Sequence, residues 1–253
     1  MTGPAAAGAQ APFGGLDATL VLVRHGQSTF VAEGRFQGRL DPPLSPTGEQ
    51  QAALVAAWLA AGAGGPNDLG LIAPAHHIVH SPLSRAAGTA RRIADAQRPS
   101  PPLVADDAFA EIGQGAWEGH TMAEVTRRWG DLLAAWRAAP TTANAPGGEP
   151  LAVAAGRVRA GLDRVMAALS GDQPGSVDSR ARPWAVVVAH DGILRLLLLA
   201  LMDLPLERFW SFPFALCGAT VVEVRGGRAQ LLAHNLAGHL ADLAGGAPRD
   251  SGF

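Results

Sequence analysis

The sequence predicts an α/β protein: a three-layer sandwich in which helices flank a mostly parallel central sheet, with a helical lid inserted into the chain. Two apolar runs, residues 20–23 and 184–189, have the composition of strands buried on both faces of a sheet. Helical segments with capping residues separate these runs, and a glycine-centred hairpin follows near the C-terminus. With 253 residues, 48% of them hydrophobic, the chain suits one large domain, which we place at residues 19–240.

The stretch before the first strand is rich in alanine and glycine. Residues 1–18 lack both the basic start and the apolar segment of a signal peptide, so we expect a disordered tail. After the strand, residues 30–43 are predicted to form a long polar loop. This loop carries Arg35 and Gln37 just downstream of the strand end, which makes it a candidate wall of a ligand pocket.

Two helices and a short strand follow this loop. Ser45 as N-cap and a proline at the first helical position predict a helix over residues 46–61. Residues 78–80 predict a second strand, and the next helix, residues 84–97, carries Arg85 in its first turn. The helix dipole disfavours a cation there unless an anion binds nearby. Arg85 is therefore a candidate anion ligand, and an exposed surface arginine is the alternative.

The rest of the chain predicts a weak strand, a lid and the elements that complete the sheet. We expect the strand at residues 103–105 and the lid over about 112–150. Two lid helices, a third helix, a strand, a buried helix and a hairpin are predicted at residues 122–129, 132–138, 151–170, 184–189, 192–202, 219–224 and 228–232. The stretch over residues 241–253 is rich in glycine, proline and aspartate, and it predicts a flexible tail.

Composition and charge argue against several classes of function. The formal net charge is −2, so neither nucleic acid nor an anionic membrane surface is expected as the main partner. The longest apolar run, residues 193–202, is interrupted by Arg195 and is too short to span a bilayer. The single cysteine, Cys217, excludes an intramolecular disulfide and fits a reducing compartment. We therefore expect a soluble cytoplasmic protein.

Residues with the chemistry of an anion site follow both apolar runs. The first run ends in Arg24, His25 and Gly26, followed by the hydroxyl group of Ser28. In an open α/β sheet the carboxyl ends of the strands face the ligand crevice, so these side chains are expected to meet a ligand. Gly26 has no Cβ to obstruct an approaching group. Because the second run ends in His190, two histidines at two strand ends predict one shared site.

Six motifs resemble those of one known family and occur in its order. They are LVRHGQST (residues 22–29), EGRFQGRLDPPLSPTGEQQA (33–52), SPLSRA (81–86), EIGQGAWEG (111–119), PGGE (146–149) and VVVAHDGILR (186–195). Over roughly residues 19–224 the chain is similar to the histidine phosphatase superfamily, which includes cofactor-dependent phosphoglycerate mutases and many small phosphatases. The resemblance implies a phosphoglycerate mutase-like fold.

The resemblance also implies a role for each of five residues. His25 would be the nucleophile that becomes a phosphohistidine, and Glu111 would be the general acid, its pKa raised by the substrate phosphate. Arg24, Arg85 and His190 would form a positive cradle for the phosphoryl group, so neither a metal nor a cofactor is expected. His25 must attack as a neutral imidazole whereas His190 would act as a cation. We therefore expect their environments to push the two pKa values apart.

Two positions depart from the family pattern. Val31 stands where many members carry an asparagine that contributes to the phosphate pocket. Asp191 follows the second histidine, where glycine is common, and its carboxylate would orient His190 or raise its pKa. Glu118 lies in the same motif as Glu111 and competes with it for the role of acid; we assign Glu118 a structural role.

Seven residues are candidates for the substrate pocket around the phosphoryl group. They are Gly26, Ser28, Arg35, Gln37, Asp191, Trp136 and Arg137. A separate cluster, His76, His77 and His80, has a spacing that fits no familiar zinc pattern. We interpret these three as loop or strand-edge histidines and predict no metal site.

Three functions are compatible with these motifs. The lid is short, and the paired arginines that grip a phosphoglycerate carboxylate in mutases are reduced to Arg137, so we predict a hydrolase of the phosphatase branch. Its substrate would be a small phosphomonoester: a sugar phosphate, a phosphoglycerate-type compound or α-ribazole phosphate. The alternatives are a cofactor-dependent phosphoglycerate mutase and a non-catalytic phospho-ligand binding module. The other partner considered is a second copy of the chain, in a homodimer.

Overall fold

Six strands form one mixed sheet at the centre of the fold. They are β1 (Ala18–Arg24), β2 (His77–His80), β3 (Leu103–Ala105), β4 (Trp184–Ala189), β5 (Ala219–Arg225) and β6 (Arg228–Leu236). Their order across the sheet is β3-β2-β4-β1-β5-β6. The neighbours from β3 to β1 run parallel, whereas β5 is antiparallel to both β1 and β6. This computed structural model describes residues 13–61, 71, 74–171 and 182–243.

Helices cover both faces of the sheet. They are α1 (Thr29–Ala32), α2 (Pro46–Ala60), α3 (Ser84–Ala96), α4 (Met122–Ala138), α5 (Leu151–Gly171) and α6 (Asp191–Leu201). The predicted cap of α2 is confirmed, because Ser45 Oγ accepts a hydrogen bond from Gly48 N at 3.1 Å. The predicted loop over residues 30–43 differs in one respect, since the short helix α1 occupies its start.

The alternation of side chains along β1 explains the three layers. Leu20 and Leu22 point into a core shared with α5 and α6, whereas Val21 and Val23 point into a core shared with α2 and α3. All four side chains are fully buried. A strand whose two faces are both apolar needs a helical layer on each side, and the predicted α/β sandwich is confirmed.

The segment predicted as a lid holds one bent helix. Backbone angles inside α4 leave the helical region at Trp129, with φ −139° and ψ 34°, so two helical segments meet there as predicted. Thr121 caps the helix by a capping box, accepting from Glu124 N at 3.3 Å while Glu124 Oε2 accepts from Thr121 N at 2.8 Å. The second segment carries Trp136, whose ring packs against Trp117 with 5.7 Å between centroids.

The N-terminal boundary is a correction to the prediction. Residues 1–12 lie outside the described residues, but Phe13 and Leu16 are buried in the core that includes α5. Phe13 N also donates to Gly227 O at 3.1 Å, which ties this stretch to the β5–β6 hairpin. The tail prediction therefore fails for residues 13–18, because the two apolar side chains gain more from burial than the alanine- and glycine-rich context suggested. Of the predicted C-terminal tail, residues 244–253 lie outside the described part of the chain.

Candidate active site

Two parallel strands deliver two histidines to the same edge of the sheet. β1 and β4 pair with Arg24 beside Ala189. His25 and His190 directly follow these two strands, and the centroids of their rings lie 5.0 Å apart. Both residues are buried. The structure therefore brings together the two histidines that the strand ends predicted to share a site.

One hydrogen bond fixes the tautomer of His25. Its Nδ1 lies 2.6 Å from the carbonyl oxygen of Gly26. A carbonyl oxygen can only accept, so Nδ1 carries the proton and Nε2 keeps its lone pair. His25 lines a pocket at the edge of the sheet. The structure thus presents a neutral imidazole with a nucleophilic nitrogen.

His190 is held by a residue that sequence reasoning did not assign to the site. Its Nε2 lies 2.7 Å from Ser81 Oγ, which also accepts a hydrogen bond from Leu83 N at 3.3 Å. Nδ1 of His190 is buried and has no hydrogen-bond partner among the described residues. The SPLSRA motif includes Ser81, but no local pattern links it to a histidine 109 positions away.

Arg24 and Arg85 place positive charge beside both histidines. Arg85 is fully buried in the first turn of α3, so the alternative of an exposed surface arginine is wrong. Its Nη1 and Nη2 donate to Leu40 O and Gly38 O at 2.9 and 3.1 Å, and Arg24 Nη1 donates to Phe214 O at 2.8 Å. Within the described part of the chain, Arg85 Nε has no partner. Burial lowers the pKa of Arg85 to about 10, which leaves it a cation at neutral pH.

Both histidines are driven toward the neutral state. Burial lowers the pKa of His25 and of His190 well below the usual range, and the charges of Arg85 and Arg24 lower both further. The prediction that His190 is a cation is therefore wrong for the protein alone, because both pKa values move in the same direction. A bound phosphate dianion would supply the opposite charge that raises the pKa of His190.

These lowered pKa values predict how stability depends on pH. Unfolded histidine titrates near pH 6.5, so below that pH the unfolded chain binds protons that His25 and His190 exclude in the fold. We expect the free energy of unfolding to fall by up to about 1.4 kcal/mol per pH unit for each histidine as the pH drops below about 6.5. Urea denaturation between pH 7.5 and 5.5, without phosphate, measures this slope.

The control for this slope is the double variant His25→Gln/His190→Gln. Glu111 acts in the opposite direction, because its raised pKa stabilises the fold as the pH falls. The difference in slope between the native protein and the double variant isolates the two histidines. Equal slopes would mean that both titrate as they do in the unfolded chain.

Glu111 supplies the carboxyl group of the site. Its Oε1 accepts from Ile112 N at 2.9 Å, and a Cβ on Gly192 would lie 2.9 Å from the same oxygen. The glycine thus lets the first turn of α6 approach the carboxyl group. Burial raises the pKa of Glu111, and the charge of Asp191 adds to this rise. We predicted that the substrate phosphate would raise this pKa, but burial in the protein alone already raises it.

Arg157 and Glu149 hold the backbone around Glu111. Arg157 extends from α5, and its Nη1 donates to Ala108 O and Ala110 O at 2.7 and 2.6 Å. Its Nη2 donates to Glu111 O at 3.3 Å. Nε and Nη2 also donate to the two carboxylate oxygens of Glu149, at 2.7 and 2.8 Å. The PGGE motif therefore ends in a carboxylate that orients this arginine.

The site opens into a pocket at the edge of the sheet. The lining residues are Arg24, His25, Gln37, Gly38, Glu111, Ile112, Gln114, Trp136, Asp191, Gly192, Phe209 and Trp210. Three of the seven candidate substrate residues, Gln37, Trp136 and Asp191, are among them. The loop after β1 and the predicted lid therefore each contribute to the wall, as expected.

Gly26 and Ser28 support the site from outside the pocket. A Cβ on Gly26 would lie 2.5 Å from Gly48 O, so the glycine is required by the close approach of α2. The space that we expected Gly26 to leave for a ligand is occupied by protein, which corrects that prediction. Ser28 Oγ donates to Gln37 Oε1 at 2.6 Å and accepts from Val31 N at 3.1 Å. Ser28 thus positions a residue that does line the pocket.

The two candidate arginines of the substrate pocket lie elsewhere. Arg35 donates from Nε to Glu33 Oε2 at 2.7 Å and from Nη1 to Gly119 O at 2.8 Å. Arg137 contacts Met122, with 3.5 Å between Nη2 and Sδ. Neither lines the pocket, so the structure contradicts their placement there. Each side chain finds a nearer partner on its own loop or helix.

Asp191 lines the pocket but is committed to other partners than His190. Its Oδ2 accepts from Arg195 Nε at 2.8 Å, and its Oδ1 accepts from Phe214 N at 3.2 Å. The expectation that it orients His190 or raises the pKa of that histidine is therefore wrong. Val31, the other departure, belongs to α1 and lies outside the pocket lining.

Glu118 joins two loops of the pocket. Its Oε1 accepts from Arg39 N and Gln114 N at 2.9 and 2.8 Å. These contacts are consistent with the structural role predicted for Glu118, and Glu111 is the carboxyl group that lines the pocket with His25 and Arg24.

Other features of the sequence contribute no further group to the site. Among the residues that the structure describes, no set of three or more His, Cys, Asp or Glu is arranged to hold a metal ion. In the same residues we find no helix with the length and apolar character needed to cross a membrane. His76 Nδ1 accepts from Trp184 N at 3.3 Å, and His80 Nδ1 donates to Ser81 O at 2.8 Å.

Six lining residues were missed by the sequence analysis: Ile112, Gln114, Phe209, Trp210, Gly38 and Gly192. The first two lie in the EIGQGAWEG motif, so the motif located them without indicating their exposure to the pocket. Phe209 and Trp210 lie in the 3₁₀ turn Leu206–Ser211 after α6. No pattern in the sequence links that turn to the lid, although Trp210 and Trp136 meet with 4.7 Å between ring centroids.

Comparison with known proteins agrees with this geometry. Residues 20–237 match the family described as Histidine phosphatase superfamily (branch 1). Phosphoserine phosphatase 1 of Hydrogenobacter thermophilus is 32% identical over 227 residues, which are 88% of this chain and 95% of that protein. Glucosyl-3-phosphoglycerate phosphatase of Mycobacterium tuberculosis is 35% identical over 192 residues, 75% of this chain and 78% of that protein.

Solved structures extend the agreement to the fold. The mycobacterial glucosyl-3-phosphoglycerate phosphatase in complex with VO3 has a TM-score of 0.73 at 28% identity, over 87% of this chain and 99% of that chain. Its complex with inorganic phosphate has a TM-score of 0.70 at 28% identity, over 87% and 98%. These relatives are phosphatases, in agreement with the predicted phosphomonoester hydrolase. From the sheet, the motifs and these matches we conclude that the chain belongs to the histidine phosphatase superfamily, branch 1.

Proposed function

We propose that this protein hydrolyses a small phosphorylated metabolite by transferring the phosphoryl group first to Nε2 of His25 and then to water. The observation that carries the proposal is the hydrogen bond from His25 Nδ1 to Gly26 O, because it leaves Nε2 as the nucleophile. Arg24 and Arg85 supply the positive charge that a phosphoryl group needs around its equatorial oxygens.

In the first step, Nε2 of His25 attacks phosphorus, and the bond from phosphorus to the leaving oxygen breaks. Glu111 gives its proton to that oxygen, which leaves as an alcohol. Its raised pKa supports this role, since the acid must be protonated when the substrate binds. The unpartnered donor at Arg85 Nε and the unpartnered nitrogen at His190 Nδ1 supply hydrogen-bonding capacity for the phosphoryl oxygens.

In the second step, the Glu111 carboxylate takes a proton from water, and the water oxygen attacks phosphorus. The bond between phosphorus and Nε2 breaks, its electron pair returns to the imidazole, and inorganic phosphate leaves. Each step uses only groups that lie at the edge of the sheet where β1 and β4 end. A metal ion has no part in this mechanism, because the arginines provide the positive charge.

A panel of phosphomonoesters tests the proposal. The purified protein is incubated with sugar phosphates, phosphoglycerates, phosphoserine, nucleotides and α-ribazole phosphate, and both released phosphate and isomerised product are measured. We expect released phosphate. Isomerisation that needs a bisphosphate primer would identify a mutase, and phosphate binding without turnover of any ester would identify a binding module. A cytoplasmic location and a homodimer stay predictions from the sequence.

The clamp on the Glu111 backbone yields a separate prediction for Arg157→Met. Methionine retains much of the side-chain length but cannot donate to Ala108 O, Ala110 O or Glu111 O. A general acid displaced by about 1 Å loses roughly 10²-fold, so we expect kcat on alkyl phosphates to fall about 10- to 100-fold. The loss should be smaller on p-nitrophenyl phosphate, whose leaving group needs little protonation.

The control variant is Arg159→Met on the same helix. Arg159 lies on the exposed side of α5 and pairs with Asp163 at 3.1 Å, so its loss should change neither rate. Thermal melting of both variants separates unfolding from mispositioning. A loss of equal size on both substrates in Arg157→Met would contradict a role in positioning the acid.

A further inference from the structure

Trp136, Phe209 and Trp210 form an aromatic wall of the pocket, and Ile112 also lines the pocket. The centroid of the Trp210 ring lies 4.7 Å from the ring centroids of Trp136 and of Phe209, with interplanar angles of 88° and 71°. These edge-to-face contacts fix the rings against each other. The leaving group of a phosphomonoester bound at His25 would therefore lie against a rigid apolar surface.

Two residues of the pocket lining carry a polar atom without a partner among the described residues. Gln114 Oε1 and Trp210 Nε1 are both buried, and neither has a hydrogen-bond partner in the described part of the chain. One is an acceptor and the other a donor. Buried polar atoms nearly always have a hydrogen-bond partner. These two atoms belong to pocket-lining residues and have none among the described residues, so a ligand is a suitable partner for them. Hydroxyl groups can both donate to an acceptor such as Gln114 Oε1 and accept from a donor such as Trp210 Nε1.

The charges around the wall do not suit an anionic leaving group. Of the arginines near the pocket, Arg195 donates to Asp191 and Phe209 O and lies over the Trp210 ring at 5.2 Å. Arg137 faces Met122 and does not line the pocket. The lining includes one arginine, Arg24, which the proposed mechanism uses on the phosphoryl group.

Carboxyl groups add to this charge pattern. Glu111 and Asp191 both line the pocket, the first protonated in the proposed mechanism and the second paired with Arg195, so the lining offers a carboxylate no cation other than Arg24. A carboxylate on the leaving group would lose water without gaining a cationic partner. An uncharged hydroxyl group loses less on burial and finds both an acceptor and a donor.

We propose that this side of the pocket selects an uncharged, hydroxyl-bearing leaving group with an apolar face, as in a sugar ring, and disfavours a leaving group that carries a carboxylate. The inference rests on the proposed phosphomonoesterase activity. It deepens that proposal by choosing sugar and polyol phosphates over phosphoglycerates within the class of small phosphorylated metabolites.

A matched pair of substrates tests the choice. Glycerol 3-phosphate and 3-phosphoglycerate are of similar size and differ in the replacement of an alcohol by a carboxylate. We expect kcat/KM to be at least about tenfold higher for glycerol 3-phosphate, the factor that corresponds to a lost hydrogen bond to a charged group. Glucose 6-phosphate should be better than glycerol 3-phosphate, because its ring covers the aromatic wall.

Trp210→Phe tests the assignment of the donor. Phenylalanine keeps an aromatic ring and removes Nε1, so we expect kcat/KM for glucose 6-phosphate to fall about 2- to 10-fold, as for one neutral hydrogen bond. The loss on methyl phosphate should be smaller, because its leaving group is too short to reach the ring. Trp58→Phe is the control: Trp58 stacks on His239 in the core on the other face of the sheet, and its replacement should leave both rates unchanged.

Failure of this inference differs from failure of the proposed function. No turnover of p-nitrophenyl phosphate or of any other ester would overturn the phosphomonoesterase itself. Turnover with 3-phosphoglycerate equal to or better than glycerol 3-phosphate would overturn only the selection of an uncharged leaving group. Equal losses on glucose 6-phosphate and methyl phosphate in Trp210→Phe would overturn the role of Nε1.

Discussion

Replacing His25 with alanine is expected to lower kcat/KM by at least about 10⁴-fold on every phosphomonoester, p-nitrophenyl phosphate included. The variant removes Nε2, the atom that would accept the phosphoryl group, so even a good leaving group finds no nucleophile. Steady-state release of phosphate measures the loss. The side chain is small and its neighbours remain, so we expect the thermal midpoint to stay within a few degrees of the native value.

Two further measurements make this test specific to the nucleophile. Phosphate on histidine, which is acid-labile and stable in alkali, is sought by rapid mixing at neutral pH followed by an alkaline quench, and it should form on the native protein and not on His25→Ala. His76→Ala is the matched control, because His76 contacts Trp184 N at the start of β4, the end of the strand opposite the site. Activity in His25→Ala within a factor of a few of the native value would refute the assignment.

The elements that position His25 were predictable because their signals are local. The apolar run that stops at Arg24 predicts a buried strand and shows which end of it carries the polar residues. Ser45 predicts the start of α2, because its capping contact is to Gly48, three residues along the chain. Such signals depend on neighbours in the chain, so they survive without knowledge of the fold. The fold class and the two strand-end histidines followed from them.

The residues that hold the catalytic groups were not predictable, because their contacts join distant parts of the chain. Ser81 reaches His190 across 109 positions, and Arg157 reaches Ala108 O across 49. A backbone carbonyl carries no side-chain identity, so no residue type marks the acceptor. The role of Gly26 was misjudged for the same reason, since its constraint comes from Gly48 on another element.

The charge state of His190 was mispredicted because residue type alone says little about burial. Two arginines beside an imidazole, with its ring fully buried, favour the neutral form until an anion arrives. The motifs identified the two arginines correctly. Our prediction of a cationic His190, however, describes the site with phosphate bound. Because phosphate would raise this lowered pKa, binding of phosphate is expected to be coupled to uptake of a proton by the site.

Glu111→Gln is expected to slow hydrolysis of alkyl phosphates by about 10²–10⁴-fold, the usual contribution of a general acid. Glutamine keeps the shape of the side chain but has no proton to give to an alkoxide. With p-nitrophenyl phosphate the leaving group departs without protonation, so the deficit in the first step should shrink. The ratio of the two losses, measured from kcat/KM, reports the proton transfer.

The second carboxyl group of the same motif provides the control for this ratio. Glu118→Gln weakens the contacts to Arg39 N and Gln114 N, so it should alter the pocket wall and lower both rates by a similar, smaller factor. Leaving-group dependence in Glu111→Gln alone would assign the acid to Glu111. A dependence of the same size in Glu118→Gln, or equal losses on both substrates in Glu111→Gln, would count against that role, because a group that donates no proton is indifferent to the basicity of the oxygen that departs.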